Sequence, residues 1–352
     1  MKLKSARIPV ADALEAVELF FERHWTDGLA VVPPTAQKVE EFIKYVNRDP
    51  AEVLGEIPPK YGKATIEKVA VNSVMAGCLP EYFPVVIGAV EAMLEPEHNL
   101  NGSQTTTHNS EPLIIVNGPI AKELDINGGH SVFGRGYRAN GTIGRAVRLV
   151  LWNLGGNFPW TVDRSTYSHP GSWSYCIAEN EDASPWEPLH VERGMKPGTS
   201  AVTVFGCEAP HSICGHGTSL ELLAGICNSM AIMGSNNAYV MGQTLVTISA
   251  RNAATFGKEG WSKRNVKEYI WEYARVPLGQ LKKGGFYSHS ATHPYWPKWV
   301  NRESDSEMVP LTRSPSDIHV IVAGGWGSFC TCHPGWGDWG GLAVTKEIKV
   351  PQ

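Results

Sequence analysis

The stretch PLIIVN at residues 112–117 decides the fold class. It is a short, apolar, β-branched run bounded by proline on one side and Asn-Gly on the other, which predicts a buried strand. A glycine-rich segment follows, and then a helix, IGRAVRLVLWNL, expected to be capped by Thr142. The same grammar recurs downstream. SAVTVF (200–205) predicts a strand that leads through the loop GCEAPHSICGHG (206–217) into a helix opened by a Thr218/Glu221 capping box. TLVTIS (244–249) precedes a Ser262-capped helix running to about Ala274, and the strand IHVIVAGG (318–325) ends in another glycine-rich loop. Strands alternating with helices predict an α/β protein.

Upstream, apolar positions between Leu14 and Phe21 predict a helix, GLAVVPPT (28–35) a short strand, and 36–47 a second helix. Thr65 caps a helix that Gly77 stops, and a further helix over 80–94 starts with Pro80. Residues 155–200 read as loop. Asn72-Ser73-Val74-Met75 and Asn228-Ser229-Met230-Ala231 open two similar successions of helix, strand, glycine-containing loop and capped helix, at 72–154 and 228–274. The expected architecture is α/β, two-lobed and loop-rich. A diverged internal duplication is one account of the echo, and common αβ grammar is the other. The expected divisions are an N-terminal helical region (1–60), a first α/β lobe with a loop-rich extension (61–200) and a second α/β lobe (201–352).

The chain has 352 residues, with 36 glycines and 24 prolines, 42% apolar and 19% charged residues. That composition excludes disorder. Lysine and arginine total 31 against 35 carboxylates, so no nucleic-acid partner is expected. The longest apolar stretches, such as VVIGAVEAML at 85–94, fall far short of the ~20 residues of a membrane span, and no membrane partner is expected. The amino terminus reads as an amphipathic helix carrying Glu15, Glu18 and Glu22, not as a signal peptide. With seven cysteines, an odd number, the expectation is a cytoplasmic protein with reduced thiols. Twelve tryptophans in loop-rich segments suggest a homo-oligomer, with a partner subunit as a further option.

Five segments carry candidate chemistry. Cys78, in MAGCLPEY (75–82), stands between a helix stop and a helix start, where the positive end of a helix dipole lowers a thiol pKa; it is the candidate nucleophile. In 206–217, Cys207, His211, Cys214 and His216 are candidate metal ligands, although C-x3-H-x2-C-x-H matches no standard zinc spacing; His211 is also a candidate substrate contact. In GGWGSFCTCHPGWGDWGG (324–341), Cys330, Cys332 and His333 join the metal candidates. That glycine-rich loop is neither a Walker loop nor a dinucleotide fingerprint, so the sequence carries no nucleotide-cofactor motif. In CIAENEDASPWEPLHVERG (176–194), Glu179, Glu187 and His190 beside Trp186 suit proton transfer, while Glu181 and Asp182 read as solvated carboxylates. Flanking the best strand, Thr106 and His108 on one side and Arg138, Asn140 and Arg145 on the other are candidate substrate contacts, the arginines as an anion clamp. At least three of the loops 103–111, 134–142, 179–190 and 206–217 are expected to line one pocket.

The segments DGLAVVPPT (27–35), GEIPPKYGKATIEKVAVNSVMAGCLPEYFPVVIGAVEA (55–92), GTIGRAVRLVLWNLGG (141–156) and SPWEPLHVERG (184–194) resemble a bacterial family of uncharacterised proteins associated with the UGSC-motif (seleno)proteins, often labelled thioredoxin-like. The resemblance covers most of residues 27–325. It implies a redox motif of Sec or Cys, Gly, Ser, Cys. The nearest match, Trp326-Gly327-Ser328-Phe329, lacks both chalcogen positions, and Cys330 and Cys332 stand just beyond it.

The leading expectation is an enzyme acting on a small, anionic organic molecule by cysteine- and acid/base-assisted lysis, hydrolysis or elimination. Cys78 would be the nucleophile, Glu179 and His190 would transfer protons, and Arg138 with Arg145 would hold the anion. A second reading is a lyase or hydrolase using a divalent metal held by the His/Cys loops. A third is a non-catalytic structural subunit of a larger complex.

Overall fold

The computed structural model describes residues 3–292, 296–337 and 340–350. The elements that position the candidate site are, in chain order, α1 (Ile66–Ala76), α2 (Phe83–Met93), β1 (Glu111–Asn117), α3 (Arg138–Val150), β2 (Cys176–Ala178), α4 (Leu189–Glu192), β3 (Ala201–Cys207) and β4 (His211–Cys214). They continue as α5 (Ser219–Met230), β5 (Thr244–Ile248), α6 (Ala250–Lys258), α7 (Lys263–Tyr273), β6 (Ile318–Val322), β7 (Phe329–Pro334) and β8 (Val344–Glu347).

The strands form two four-stranded mixed sheets, β8-β3-β1-β2 and β6-β5-β7-β4. Each has one parallel pair, β1 with β2 and β5 with β6, and two antiparallel pairings. Taken in chain order as two sets of four, β1–β4 and β5–β8, each sheet draws its far edge strand from the other set. β4 follows β3 yet pairs with β7, while β8 follows β7 yet pairs with β3. The expected boundary at 200/201 therefore does not separate the sheets, because β3 and β8 both belong to the first.

Strand alternation sorts the side chains into layers. Leu113, Ile115, Ile177 and Phe205 of the first sheet pack against Leu245 and Ile321 of the second. The opposite face of the first sheet (Ile114, Val116, Val202, Val204) packs on α1, α2 and α3 through Val69, Val86 and Val147. The opposite face of the second (Val246, Ile248, Val320) packs on α5, α6 and α7 through Leu223, Phe256 and Ile270. The result is four layers, helix–sheet–sheet–helix, with an apolar core on each side of each sheet.

Local signals explain most helix ends. Thr65 caps α1 by accepting from Lys68 N, and Gly77 ends it at φ +87°, a conformation that side-chain-bearing residues rarely adopt. Thr218 and Glu221 form the capping box of α5, and Ser262 caps α7. The echoed asparagines occupy matching places: Asn72 donates to Lys68 O on α1 at 2.9 Å and Asn228 to Ala224 O on α5 at 2.8 Å.

Other expectations are corrected. Residues 28–35 form no strand. Thr142 lies inside α3 rather than at its start; its hydroxyl donates to the Arg138 carbonyl one turn back, at 2.8 Å. The segments read as loops at 155–200, 206–217 and 324–341 contain β2, β4 and β7. Short strands rich in Cys, His, Ser and Pro lack the apolar run by which a strand is recognised. Asp338 and Trp339, in the last of these segments, lie outside the described residues. Among the described residues, no helix is long and apolar enough to cross a membrane.

Candidate active site

The parallel pair β1/β2 ends at Asn117 and Ala178, and the chain leaves both strands at the mouth of a cleft of about 1030 Å³. Crevices at the carboxyl ends of parallel strands are where open α/β sheets bind ligands. Gly118 makes the turn out of β1 at φ +83°; a Cβ there would stand 2.3 Å from the Thr199 carbonyl oxygen. That sharp turn leaves the Asn117 side chain fully buried beneath the cleft floor.

Three acid–base groups converge there. Glu179 follows β2 directly and is 4% exposed. Its Oε2 accepts from Asn117 Nδ2 at 2.7 Å and from Leu189 N, the first amide of α4, at 2.8 Å. Its Oε1 is buried without a partner among the described residues. Burial pushes the Glu179 carboxyl up to about 7, opposed by Lys263 and by the bonds from Leu189 and Asn117, and aided by the nearby Glu181. Glu181 accepts from the same Asn117 Nδ2 at 2.9 Å and from Gly118 N at 2.7 Å. His190, on α4, is 1% exposed, and neither ring nitrogen is hydrogen-bonded among the described residues; its Nδ1 lies 4.0 Å from Glu181 Oε1. Burial lowers the His190 pKa, against the attraction of Glu181, so the ring is neutral at pH 7.

Elements of both sheets brace this site. Lys263 Nζ donates to the Glu187 carbonyl at 2.6 Å and pairs with Glu192 at 3.2 Å, while Arg193 Nε donates to Thr345 on β8 at 2.7 Å. Asn180 N donates to Val322 O at the end of β6, at 2.8 Å. The four-residue helix carrying His190 is therefore tied from both sides.

The remaining candidates lie elsewhere. Cys78 is 7% exposed, its Sγ donating to Thr142 O at 3.2 Å. Burial pushes its thiol up to about 12, so desolvation overrides the helix dipole and the thiol is not an activated nucleophile. Arg138 is spent on the Gly77 carbonyl at 3.0 Å, and Arg145 on Asp27 at 2.8 Å and on the Ala30 carbonyl at 3.0 Å; they form no anion clamp. Asn140 is buried, bonded to Asn127 N at 2.8 Å and Cys176 O at 3.1 Å, and joins loop 126–130 to β2.

The four loops expected to share a pocket divide into two pairs. Tyr137 and residues 179–190 line the cleft at the carboxyl end of β1. Loops 103–111 and 206–217 meet at its amino end, where His108 Nε2 lies 2.7 Å from Glu208 and Thr106 accepts from Trp336 Nε1 at 3.0 Å.

The metal candidates are likewise dispersed. Cys207 and His333 face the layer between the sheets; His333 contacts Tyr175 and Thr331, each at 2.8 Å, and burial pushes its pKa down to about 3. Cys330 and Cys332 are buried on the helix-facing side of β7, with raised thiol pKa values. Cys214 and His216 are exposed. His211 and Cys332 line a 210 Å³ cavity with Glu208. Among the described residues, no three His, Cys, Asp or Glu side chains gather closely enough to hold a metal ion.

Sequence reading missed Asn117, Glu181 and Lys263. For Lys263 a signal existed: Lys263, Val266 and Ile270 share the i, i+3, i+7 stripe that α7 buries, which places a lysine on an apolar face. No protein-family model matches the chain, and no curated protein matches it significantly.

Proposed function

We propose that the protein is an enzyme that moves protons on a small polar molecule, in a lysis, elimination or hydrolysis, without thiol participation. The observation that carries this reading is Glu179: a buried carboxyl poised near neutrality, with one oxygen unpartnered, lining a cleft beside a neutral buried histidine. A carboxyl with pKa near 7 both gives and takes a proton at physiological pH, the condition for efficient general acid–base catalysis. Glu179 would exchange the reacting proton, His190 would accept or relay a second, and Glu181, held by Asn117 and the Gly118 amide, would face positive charge developing on the substrate. The charge around the cleft favours a neutral or cationic substrate over an anion. Its walls carry Asp125, Glu179, Glu181, Asp182 and Glu187, and their lysine, Lys122, is paired with Asp182 at 2.6 Å.

The reciprocal exchange of edge strands supports reading the chain as a diverged internal duplication. On that reading only the first half keeps its site. Where Asn117 and Glu179 follow the parallel pair of the first sheet, Ser249 and Ala323 follow that of the second.

The test is a thermal-shift panel of small amines, neutral polar compounds and carboxylic acids, followed by turnover assays on the compounds that stabilise the protein. Neutral or cationic compounds should bind, and turnover should show an apparent pKa near 7 that Glu179→Gln abolishes. Binding confined to anions, or full turnover by Glu179→Gln, would overturn the reading.

A further inference from the structure

A further cavity, of about 430 Å³, shares no lining residue with the carboxylate cleft and lies between the N-terminal segment 21–28 and the turn 157–173. Its wall is aromatic. Trp160 is 59% exposed and stacks one face on Phe158 at 5.4 Å, with Trp152 packed edge-on against both. Trp173 is 47% exposed and has no ring packed against it among the described residues. Exposing indoles at a concave site is costly unless something covers them.

Polar groups in the same cavity point to the kind of ligand. Asn157 is 93% buried, since its exposure is 7%, and its Oδ1 has no hydrogen-bond partner among the described residues. A buried amide oxygen left unpaired requires a donor. The cations beneath the cavity are already engaged: Arg148 pairs with Glu111 at 2.8 Å, and Arg145 with Asp27 at 2.8 Å. Among the described lining residues the other basic group is the His24 ring, packed on Trp160 at 5.3 Å, and two carboxylates, Asp27 and Asp163, face the same space. Asp163 adds a further acceptor, one of its oxygens already holding Ser165 N at 2.9 Å.

We propose that this cavity binds a neutral carbohydrate ring. A pyranose carries an apolar C–H face that suits the open Trp173 indole. Its rim of hydroxyls can donate to Asn157 Oδ1 and to Asp163 while accepting from neighbouring donors. A phosphate-bearing ligand is disfavoured, because the lining sets Asp27 and Asp163 against one arginine, Arg148, that Glu111 already holds.

The test titrates methyl β-glucopyranoside, methyl β-galactopyranoside and methyl α-mannopyranoside into the full-length protein, read by tryptophan fluorescence and saturation-transfer NMR. At least one should bind saturably, with a Kd on the order of 1 mM, as expected of a small, shallowly held ligand. Trp173→Ala, at an exposed position, should weaken binding about tenfold or more, Trp173→Phe should restore part of it, and Asn157→Ala should weaken it independently. No saturation by any of the three up to about 100 mM, unchanged binding by Trp173→Ala, or binding of adenosine in their place would overturn the proposal.

Discussion

Asn117 Nδ2 lies 2.7 Å from Glu179 Oε2, joining the last residue of one parallel strand to the first residue beyond its neighbour. The same amide nitrogen reaches Glu181 at 2.9 Å, so one NH2 group bridges two carboxyls. Burial first, and the nearby Glu181 after it, raise the Glu179 pKa, so Glu179 keeps its proton toward neutral pH. Asn117 thus fixes the geometry, while burial raises the Glu179 pKa.

Glu179→Gln should change the pH dependence of stability in a defined direction. The Glu179 pKa is raised from 4.5 to about 7 on folding. A raised carboxyl contributes stability that is complete below the unfolded pKa and lost as pH rises through the folded one. At about 1.4 kcal/mol per pH unit, the loss between pH 4.5 and 7 comes to about 3 kcal/mol. The glutamine variant keeps the shape without this loss. It should match the wild type near pH 4.5 and exceed its Tm by roughly 5 °C at pH 8. A difference in Tm that stays constant with pH would show that Glu179 ionises normally in the folded protein.

Asn117→Ala removes a hydrogen bond that favours the ionised form of Glu179 and leaves buried oxygens unpaired. Carboxyl 13C NMR should show the Glu179 titration moving above about 7, and stability should fall by about 1–3 kcal/mol. An unmoved titration midpoint would mean that the bridge does not tune the acid.

Thiol labelling separates burial from dipole effects at Cys78. Of the seven free cysteines, Cys214 is exposed and the other six are buried. One thiol per native chain should therefore react promptly with iodoacetamide or Ellman's reagent, and mass spectrometry should place it at Cys214. Cys78 should label only on unfolding. Comparable rates at Cys78 and Cys214 would restore the cysteine to the list of catalytic candidates.

How much of this could be read from the sequence depended on how local the signal was. The apolar runs of β1, β3, β5 and β6 and the caps of α1, α5 and α7 are written in consecutive residues, and these elements stand where they were expected. Glu179 and His190 were singled out for the same reason, as titratable groups in a proline-braced segment beside an indole. The edge strands β4 and β8 are not legible, because each is stabilised by a partner more than a hundred residues away in sequence. The role of Glu181 depends on the amides of Asn117 and Gly118, more than sixty residues away. Cys78 failed for a related reason: its spacing shows the helix end but not Thr142 and the core residues that bury it.

The exchanged edge strand yields the last prediction. β8 pairs with β3 from Val344↔Val204 to Glu347↔Ala201, and Ile348 beyond it is 4% exposed within the core shared by α2 and β3. Arg193, just past the helix that carries His190, bonds to Thr345 and to the Ala343 carbonyl. Ending the chain after Gly341 removes all of these at once. Burial of an isoleucine alone stabilises by about 1.5–3 kcal/mol, and the exposed edge of β3 loses its hydrogen-bond ladder as well. The truncated protein should lose about 10 °C or more in Tm, and hydrogen exchange should rise in β3 and in residues 189–193 before it rises in the second sheet. A synthetic peptide covering residues 342–352, added in excess, should recover part of the lost stability by re-forming the antiparallel pair. A truncated chain with the wild-type Tm and unchanged protection at residues 189–193 would show that β8 neither completes the first sheet nor braces the carboxylate cleft.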